Sequence, residues 1–270
     1  MSARLLSLAS GVLPEFTPET TAAAAIAAGW PAVGIMVDPA TWTGATASEV
    51  RARTADAGVA VLDVEVIWLQ LGRDNPDHFR IVDASAAVGA RNVLVVSSDP
   101  EPASTAAKLA RLSDHARERG LQVSLEFGAF TAVKSLAAAL AILDMAGPDL
   151  GLLVDSLHLA RTGGTSAVLR NVDPRRFAYA QLCDAPATGP DMSDFDAIVH
   201  EALDLRLLLG EGALPLAGML DALPPGLPLS IELRSKALRD AHPDPVERAR
   251  AVLQSTREAL ARFDVQLATA

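Results

Sequence analysis

The sequence predicts an α/β chain closed into a single (β/α)8 barrel, and three observations predict it. Eight short, nearly continuous runs of Val, Ile and Leu recur at a spacing of roughly 30 residues, as expected for strands buried on both faces of a parallel sheet. Segments with helical periodicity and good helix formers lie between them. No shift in composition marks a linker, so residues 1–270 read as one domain.

Taken in order, the first strand falls at 5–9 and is followed by a helix over 18–28, which Thr17 caps, Pro18 opens and Gly29 ends. A second strand at 32–37 leads to a helix over 48–57, closed by Gly58. Strands at 59–67 and 92–97 precede a helix over 104–119 that ends at Gly120. A fifth strand at 122–127 precedes a helix over 133–145, and three more strands follow at 151–155, 178–182 and 228–233. Pro243 and Pro245 introduce a last helix over 245–262. The stretch 185–214 carries Pro186, Gly189, Pro190, Gly210 and Gly212 and reads as an elaborated loop over the C-terminal mouth of the barrel. An open doubly wound sheet is the competing arrangement. It should carry Gly-x-Gly-x-x-Gly after its first strand, and this chain has none there.

Composition narrows the function. Half of the 270 residues are hydrophobic and 21% are charged, enough apolar material for a large core. Lys and Arg number 23 against 33 acidic residues, a formal charge of −10 without any basic run, which argues against nucleic-acid or anionic-membrane partners. The lone Cys183 can make neither an internal disulfide nor a multi-cysteine zinc site. With no signal h-region or membrane span in the sequence, the expectation is a cytoplasmic protein acting on a small molecule.

The chemistry concentrates at the strand ends. The fifth strand delivers Glu126, the sixth Asp155 with His158 three residues on, the seventh Gln181 and the eighth Glu232. One carboxylate at a strand end is commonly solvated. Three converging on a barrel mouth beside an amide would repel one another unless a cation neutralised them. All-oxygen ligands suit one divalent ion, Mn2+ or Mg2+ first and Co2+ or Zn2+ as alternatives.

These residues, in Ser-Leu-Glu-Phe, Val-Asp-Ser-Leu-His-Leu-Ala-Arg, Gln-Leu-Cys-Asp-Ala and Ser-Ile-Glu-Leu, together with Arg206-Leu207-Leu208-Leu209-Gly210-Glu211-Gly212, resemble the sugar phosphate isomerase/epimerase family. These are the xylose-isomerase-like TIM barrels, which include ketose 3-epimerases, hydroxypyruvate isomerase, inosose dehydratase and 3-dehydroshikimate dehydratase. The resemblance implies that Glu126, Asp155, Gln181 and Glu232 bind one metal, that Glu126 and Glu232 act as acid and base, and that His158 and Arg206 contact substrate oxygens. Two departures stand out. Gln181 replaces the histidine frequent in ketose epimerases, and Leu209 stands where proline is common before the Gly-Glu-Gly.

The leading reading is a metal-dependent isomerase or epimerase that abstracts a proton beside a carbonyl through an enediolate. The alternative is a lyase dehydrating a cyclic keto-polyol or keto-acid such as 3-dehydroshikimate or an inosose. A non-catalytic or partner-dependent barrel is the third. A DNA-repair endonuclease would need clustered histidines and a basic groove, and the chain has only five histidines. Arg161 reads either as a clamp for a substrate anion or as a salt bridge to Asp155 or Asp184; Glu65 and Trp68 are further candidates for the substrate pocket. Asp184 reads as an orienter of the ligands, Trp42, Phe130 and Trp68 as loop anchors or mouth residues, and His78, His115, His200 and His242 as surface. A homo-oligomer is compatible with such a barrel, but no sequence feature identifies an interface.

Overall fold

In the computed structural model, which describes residues 4–268 and side chains through residue 263, eight parallel strands close into a barrel in chain order. They are β1 (Leu6–Leu8), β2 (Ala32–Met36), β3 (Ala60–Leu69), β4 (Asn92–Ser97), β5 (Gln122–Glu126), β6 (Gly151–Asp155), β7 (Phe177–Leu182) and β8 (Leu229–Ile231). β8 closes on β1 with Ser7 opposite Ser230 and Leu8 opposite Ile231.

Alternation along the strands divides the apolar residues into two layers. Leu8, Val33, Val95, Leu125, Val154 and Ile231 belong to the larger core beneath the helices. Ala32, Leu62, Leu94, Val96, Leu153 and Tyr179 form a smaller cluster inside the barrel. Leu152 and Val154 therefore share one face of β6 while Leu153 takes the other.

The helix boundaries follow capping chemistry. α1 (Pro18–Ala28) starts where Thr17 Oγ1 accepts from the Thr20 amide at 3.3 Å and stops at Gly29, whose φ of 84° suits a residue without Cβ. Loss of such a side-chain cap typically costs about 1 kcal/mol. α2 (Gly44–Ala57) begins four residues before the expected 48, because Thr43 supplies its cap. α4 (Pro102–Arg117), α5 (Leu136–Ala146) and α11 (Pro245–Ala268) match expected helices with shifted ends.

α3 (Pro76–Val88), α6 (Ser156–Arg161), α7 (Ser166–Leu169), α9 (Leu216–Ala222) and α10 (Lys236–Ala241) were not anticipated from the sequence. The expected loop at 185–214 needs correction too, since it contains α8 (Phe195–Asp204), capped by Asp194. Among the described residues, no helix is long and apolar enough to cross a membrane.

Candidate active site at the C-terminal mouth

Strand register carries the polar residues to the same end of the barrel. Asp155 is the register partner of Gln181, and Gln181 of Ser230, two residues before Glu232. Glu126 ends β5, and Glu65 pairs with Met36 across β2 and β3. A cavity of about 290 Å3 opens above them. Its floor carries Glu65, Glu126, His158, Gln181, Arg206, Glu232 and Arg234, while Val66, Leu94, Val96, Phe130 and residues of α8 form its walls.

Two arginines organise the floor. Arg206 Nη1 donates to Asp155 Oδ2 at 2.7 Å and to the Glu232 carbonyl at 3.3 Å, and its Nε donates to the Ala202 carbonyl. Arg206 thus lines the cavity and Asp155 lies behind it, fully buried. Arg234 bridges two acids, donating from Nε to Glu232 Oε1 at 2.7 Å and from Nη2 to Glu65 Oε2 at 3.3 Å. Gly11 permits this approach, because a Cβ there would lie 2.3 Å from Glu232 Oε1. Ser10 Oγ adds a bond to Glu65 Oε2 at 2.9 Å. Arg234, Ser10 and Gly11 had no assigned role in the sequence reading. Arg234 was discoverable as a cation two residues beyond Glu232, on the same side of an extended chain, whereas Ser10 and Gly11 carried no comparable signal.

The electrostatics reflect crowded acids in a poorly hydrated place. Burial, and then the charges of Asp155, Glu232 and Glu65, push the Glu126 carboxyl well above its usual range, with Arg206 opposing. Burial, Glu232 and Asp63 push Glu65 up in the same way. Burial is the largest single influence on Asp155 and would raise it as well, but the Arg206 guanidinium, the nearby His158 and the hydrogen bonds that the carboxylate accepts from both residues together hold the carboxyl low. Burial pushes His158 down to about 4, so its imidazole is neutral at pH 7. Its ring meets Phe130 edge-on at 5.0 Å, and Asp155 Oδ1 accepts from the His158 amide at the start of α6.

Of the residues expected at the site, Glu65, Trp68, Glu126, His158, Gln181, Arg206 and Glu232 line the cavity. Trp68 sits at the rim, 39% exposed, with its indole N–H on Ser98 Oγ. Arg161 requires a correction, because it is spent on Glu201 through two bonds, 2.9 Å from Nε and 2.7 Å from Nη2, and on the Pro186 carbonyl. It ties α8 to α6 and does not line the cavity. Asp184 also has a different task from the one expected. Its carboxylate accepts the amides of Ala185, Gly210 and Leu214 and so shapes the Arg206–Gly212 turn. A Cβ on Gly212 would fall 2.4 Å from Asp184 Oδ1, which explains the glycine there. Trp42 lies in a separate recess with Phe16, and the other four histidines lie outside the cavity.

The residues present have donor chemistry that fits a hard divalent cation. Glu126, Gln181 and Glu232 offer oxygens, Glu232 Oε2 has no protein partner, and the mutual repulsion that raises Glu126 is what a cation would relieve. Among the described residues, however, no three His, Cys, Asp or Glu side chains are grouped as a metal cluster.

A family model described as "Xylose isomerase-like TIM barrel" matches residues 22–259. Two curated proteins, both named 3-dehydroshikimate dehydratase, are similar. One, from Pseudomonas aeruginosa, is 29% identical over 275 residues, covering 94% of this chain and 42% of its own length. The other, from Pseudomonas putida, is 27% identical over 249 residues, covering 86% and 38% respectively. The chain thus spans less than half the length of these curated relatives. A solved xylose isomerase-like TIM barrel/4-hydroxyphenylpyruvate dioxygenase fusion protein superposes with a TM-score of 0.81 at 22% identity, over 98% of this chain and 45% of that one. At that identity the superposition shows the fold alone.

Proposed function

Because the chain belongs to the xylose isomerase-like TIM barrel family, we propose that it is a metal-dependent lyase that removes water from a cyclic keto-acid of the 3-dehydroshikimate type. The observation that carries this reading is the pair of curated relatives, both dehydratases of that substrate, which align with most of this chain. It displaces the isomerase or epimerase as the leading reading, although either chemistry would use the same floor. The apolar walls, with Val66, Leu94, Val96 and Phe130, support a ring over an open-chain polyol, whose hydroxyls would lose water partners against them.

In this mechanism Glu126, Gln181 and Glu232 would hold one divalent ion, Mn2+ or Mg2+ first and Co2+ or Zn2+ as alternatives, and Asp155 would join them on giving up its bond to Arg206. Bound, the ion would stabilise negative charge developing on the substrate carbonyl oxygen. Glu232 is anchored through Oε1 by Arg234 and keeps Oε2 free to take the proton from the carbon beside the carbonyl. The electron pair of that C–H bond becomes the new double bond as the β-hydroxyl departs, and Glu126 supplies the proton that makes it water. Neutral His158 donates a hydrogen bond to the carbonyl or the departing hydroxyl. The apolar walls exclude bulk water from the enolate.

The test combines this chain, 3-dehydroshikimate and each of the four metals in deuterated water, with elemental analysis of the purified protein. A new conjugated chromophore with about one ion per chain supports the lyase. Hydrogen–deuterium exchange without loss of water would return the isomerase reading, and neither signal would sink both. Glu232→Gln should cut turnover by about 10²–10⁴-fold, the usual worth of an acid–base group, with an unchanged thermal melt.

A further inference from the structure

Among the described residues, five buried side-chain oxygens have no protein hydrogen-bond partner: Ser7 Oγ, Asp63 Oδ1, Glu65 Oε1, Ser230 Oγ and Glu232 Oε2. They are not scattered through the molecule. All belong to β1, β3 and β8 or the residue just past β8. Ser7 and Ser230 are register partners where the barrel closes. Glu65 and Glu232 each stand two residues beyond Asp63 and Ser230, hence on the same strand face one level higher.

Strand β2 separates β1 from β3, and there the register partner of Asp63 is Gly34. A Cβ on Gly34 would lie 2.9 Å from Asp63 Oδ1 and 3.3 Å from the Ser10 amide nitrogen. The missing side chain lets Asp63 lean across β2 toward β1. The unpartnered oxygens therefore lie along one arc of the barrel, from β8 through β1 and β2 to β3, with Glu65 and Glu232 lining the cavity at its mouth.

The three carboxylates share one pattern. Each has one oxygen held by a protein donor: Asp63 Oδ2 by the Tyr179 hydroxyl at 3.0 Å, Glu65 Oε2 by Ser10 and Arg234, and Glu232 Oε1 by Arg234. The other oxygen of each is free. A serine hydroxyl rotates, so a carboxylate oxygen within reach of Ser7 or Ser230 would already have taken its proton. No protein atom is placed to bond either hydroxyl or the free oxygen of any of the three acids.

We propose that this arc is a binding site for a short file of fixed water molecules inside the barrel, linking the Asp63–Tyr179 pair and the two serines to the free oxygen of Glu65. What binds here must satisfy the Asp63 and Glu65 carboxyls in either protonation state and bond two hydroxyls in either sense. Water does both, whereas a metal cation only accepts lone pairs. Buried polar sites of this kind characteristically hold water through two to four partners. The file anchors the oxygen of Glu65 that no protein donor holds and stops short of Glu232 Oε2, the oxygen that the lyase reading uses. It needs neither the metal nor the substrate of the lyase reading, so it stands or falls separately.

Two measurements test it. A crystal structure at near-atomic resolution should show ordered solvent within hydrogen-bond distance of Ser7 Oγ, Ser230 Oγ and Asp63 Oδ1. A dry interior would overturn the proposal, and so would density that refines as a cation with a thermal melt dependent on Na+ or K+. Ser7→Ala and Ser230→Ala, singly and together, provide the second measurement, and the smaller side chain fits either position. If the file is present, each variant loses an anchor and the unfolding equilibrium constant rises about fivefold per hydroxyl. If the hydroxyls are dry, removing them leaves stability unchanged or improves it, and that result overturns the file.

Discussion

Arg206 and Asp155 form an ion pair of 2.7 Å, with neither side chain more than 4% exposed, and this pair stands between the cavity and the end of β6. Its charges are isolated from bulk solvent, so neither can lose the other cheaply. Arg206→Met should destabilise the fold by about 3–5 kcal/mol, because a buried carboxylate is left without its cation. Combining it with Asp155→Asn should recover much of that loss. Urea unfolding of the single and double variants checks it, and equal losses in both would refute the coupling.

Arg161 and Glu201 lie 40 residues apart and share a two-bond ion pair whose side chains are each 7% exposed. Arg161→Ala should release α8 from α6. The expected result is a stability loss of about 3 kcal/mol and faster proteolysis between residues 186 and 204. An unchanged cleavage pattern would show that α8 is held in place without Arg161.

Cys183 is fully buried, and burial pushes its thiol up to about 12 even though Arg206 Nη1 lies 3.4 Å from Sγ. The thiol should resist iodoacetamide at pH 8 in the folded protein and react only after unfolding. The sign for stability follows from the same shift. Between about pH 9, the ordinary thiol value, and about pH 12 the folded chain holds the proton more tightly, so the contribution of Cys183 falls as pH rises through that window. Cys183→Ser should show a flatter alkaline decline in urea titrations.

Asp63 is raised to about 7 by burial and by the charge of Glu232, against the Tyr179 hydrogen bond. From about pH 4 to 7 the folded state therefore binds the extra proton, and stability drops as pH climbs. Asn at this position cannot ionise and still accepts from Tyr179. Asp63→Asn should gain stability relative to the parent as pH rises across that range. Chemical denaturation at pH 5 and pH 8 measures it, and a pH-independent difference would rule out Asp63 as the titrating group.

The barrel was readable because eight apolar runs, each ending near a polar residue, repeat a rhythm that few folds share. Glu126, Asp155, Gln181 and Glu232 stood out as polar residues at the ends of such runs. α3 and α8 carry local signals of their own. Asn75, Pro76 and Gly89 bracket α3, and Phe195, Ile198, Val199 and Ala202 have helical spacing within a stretch whose Pro and Gly content suggested a loop. The partners were beyond local reading. Nothing near Arg161 points to Glu201, and nothing near Asp184 announces that its carboxylate will gather three backbone amides from residues 185, 210 and 214.

Those three amides have a consequence for how such a barrel can diversify. The chain leaves the end of β7, runs through α8 and returns to the same aspartate, which closes it like a clasp. Phe195, Val199 and Leu203 on this insert face the cavity, while the oxygens of Glu65, Glu126 and Glu232 come from the strands or their ends. Under the proposed lyase reading, selectivity and reactivity are thus written on separable lengths of chain. Substitutions along one helix would retailor the shape of the ring admitted, while the acids proposed to act on it keep their register.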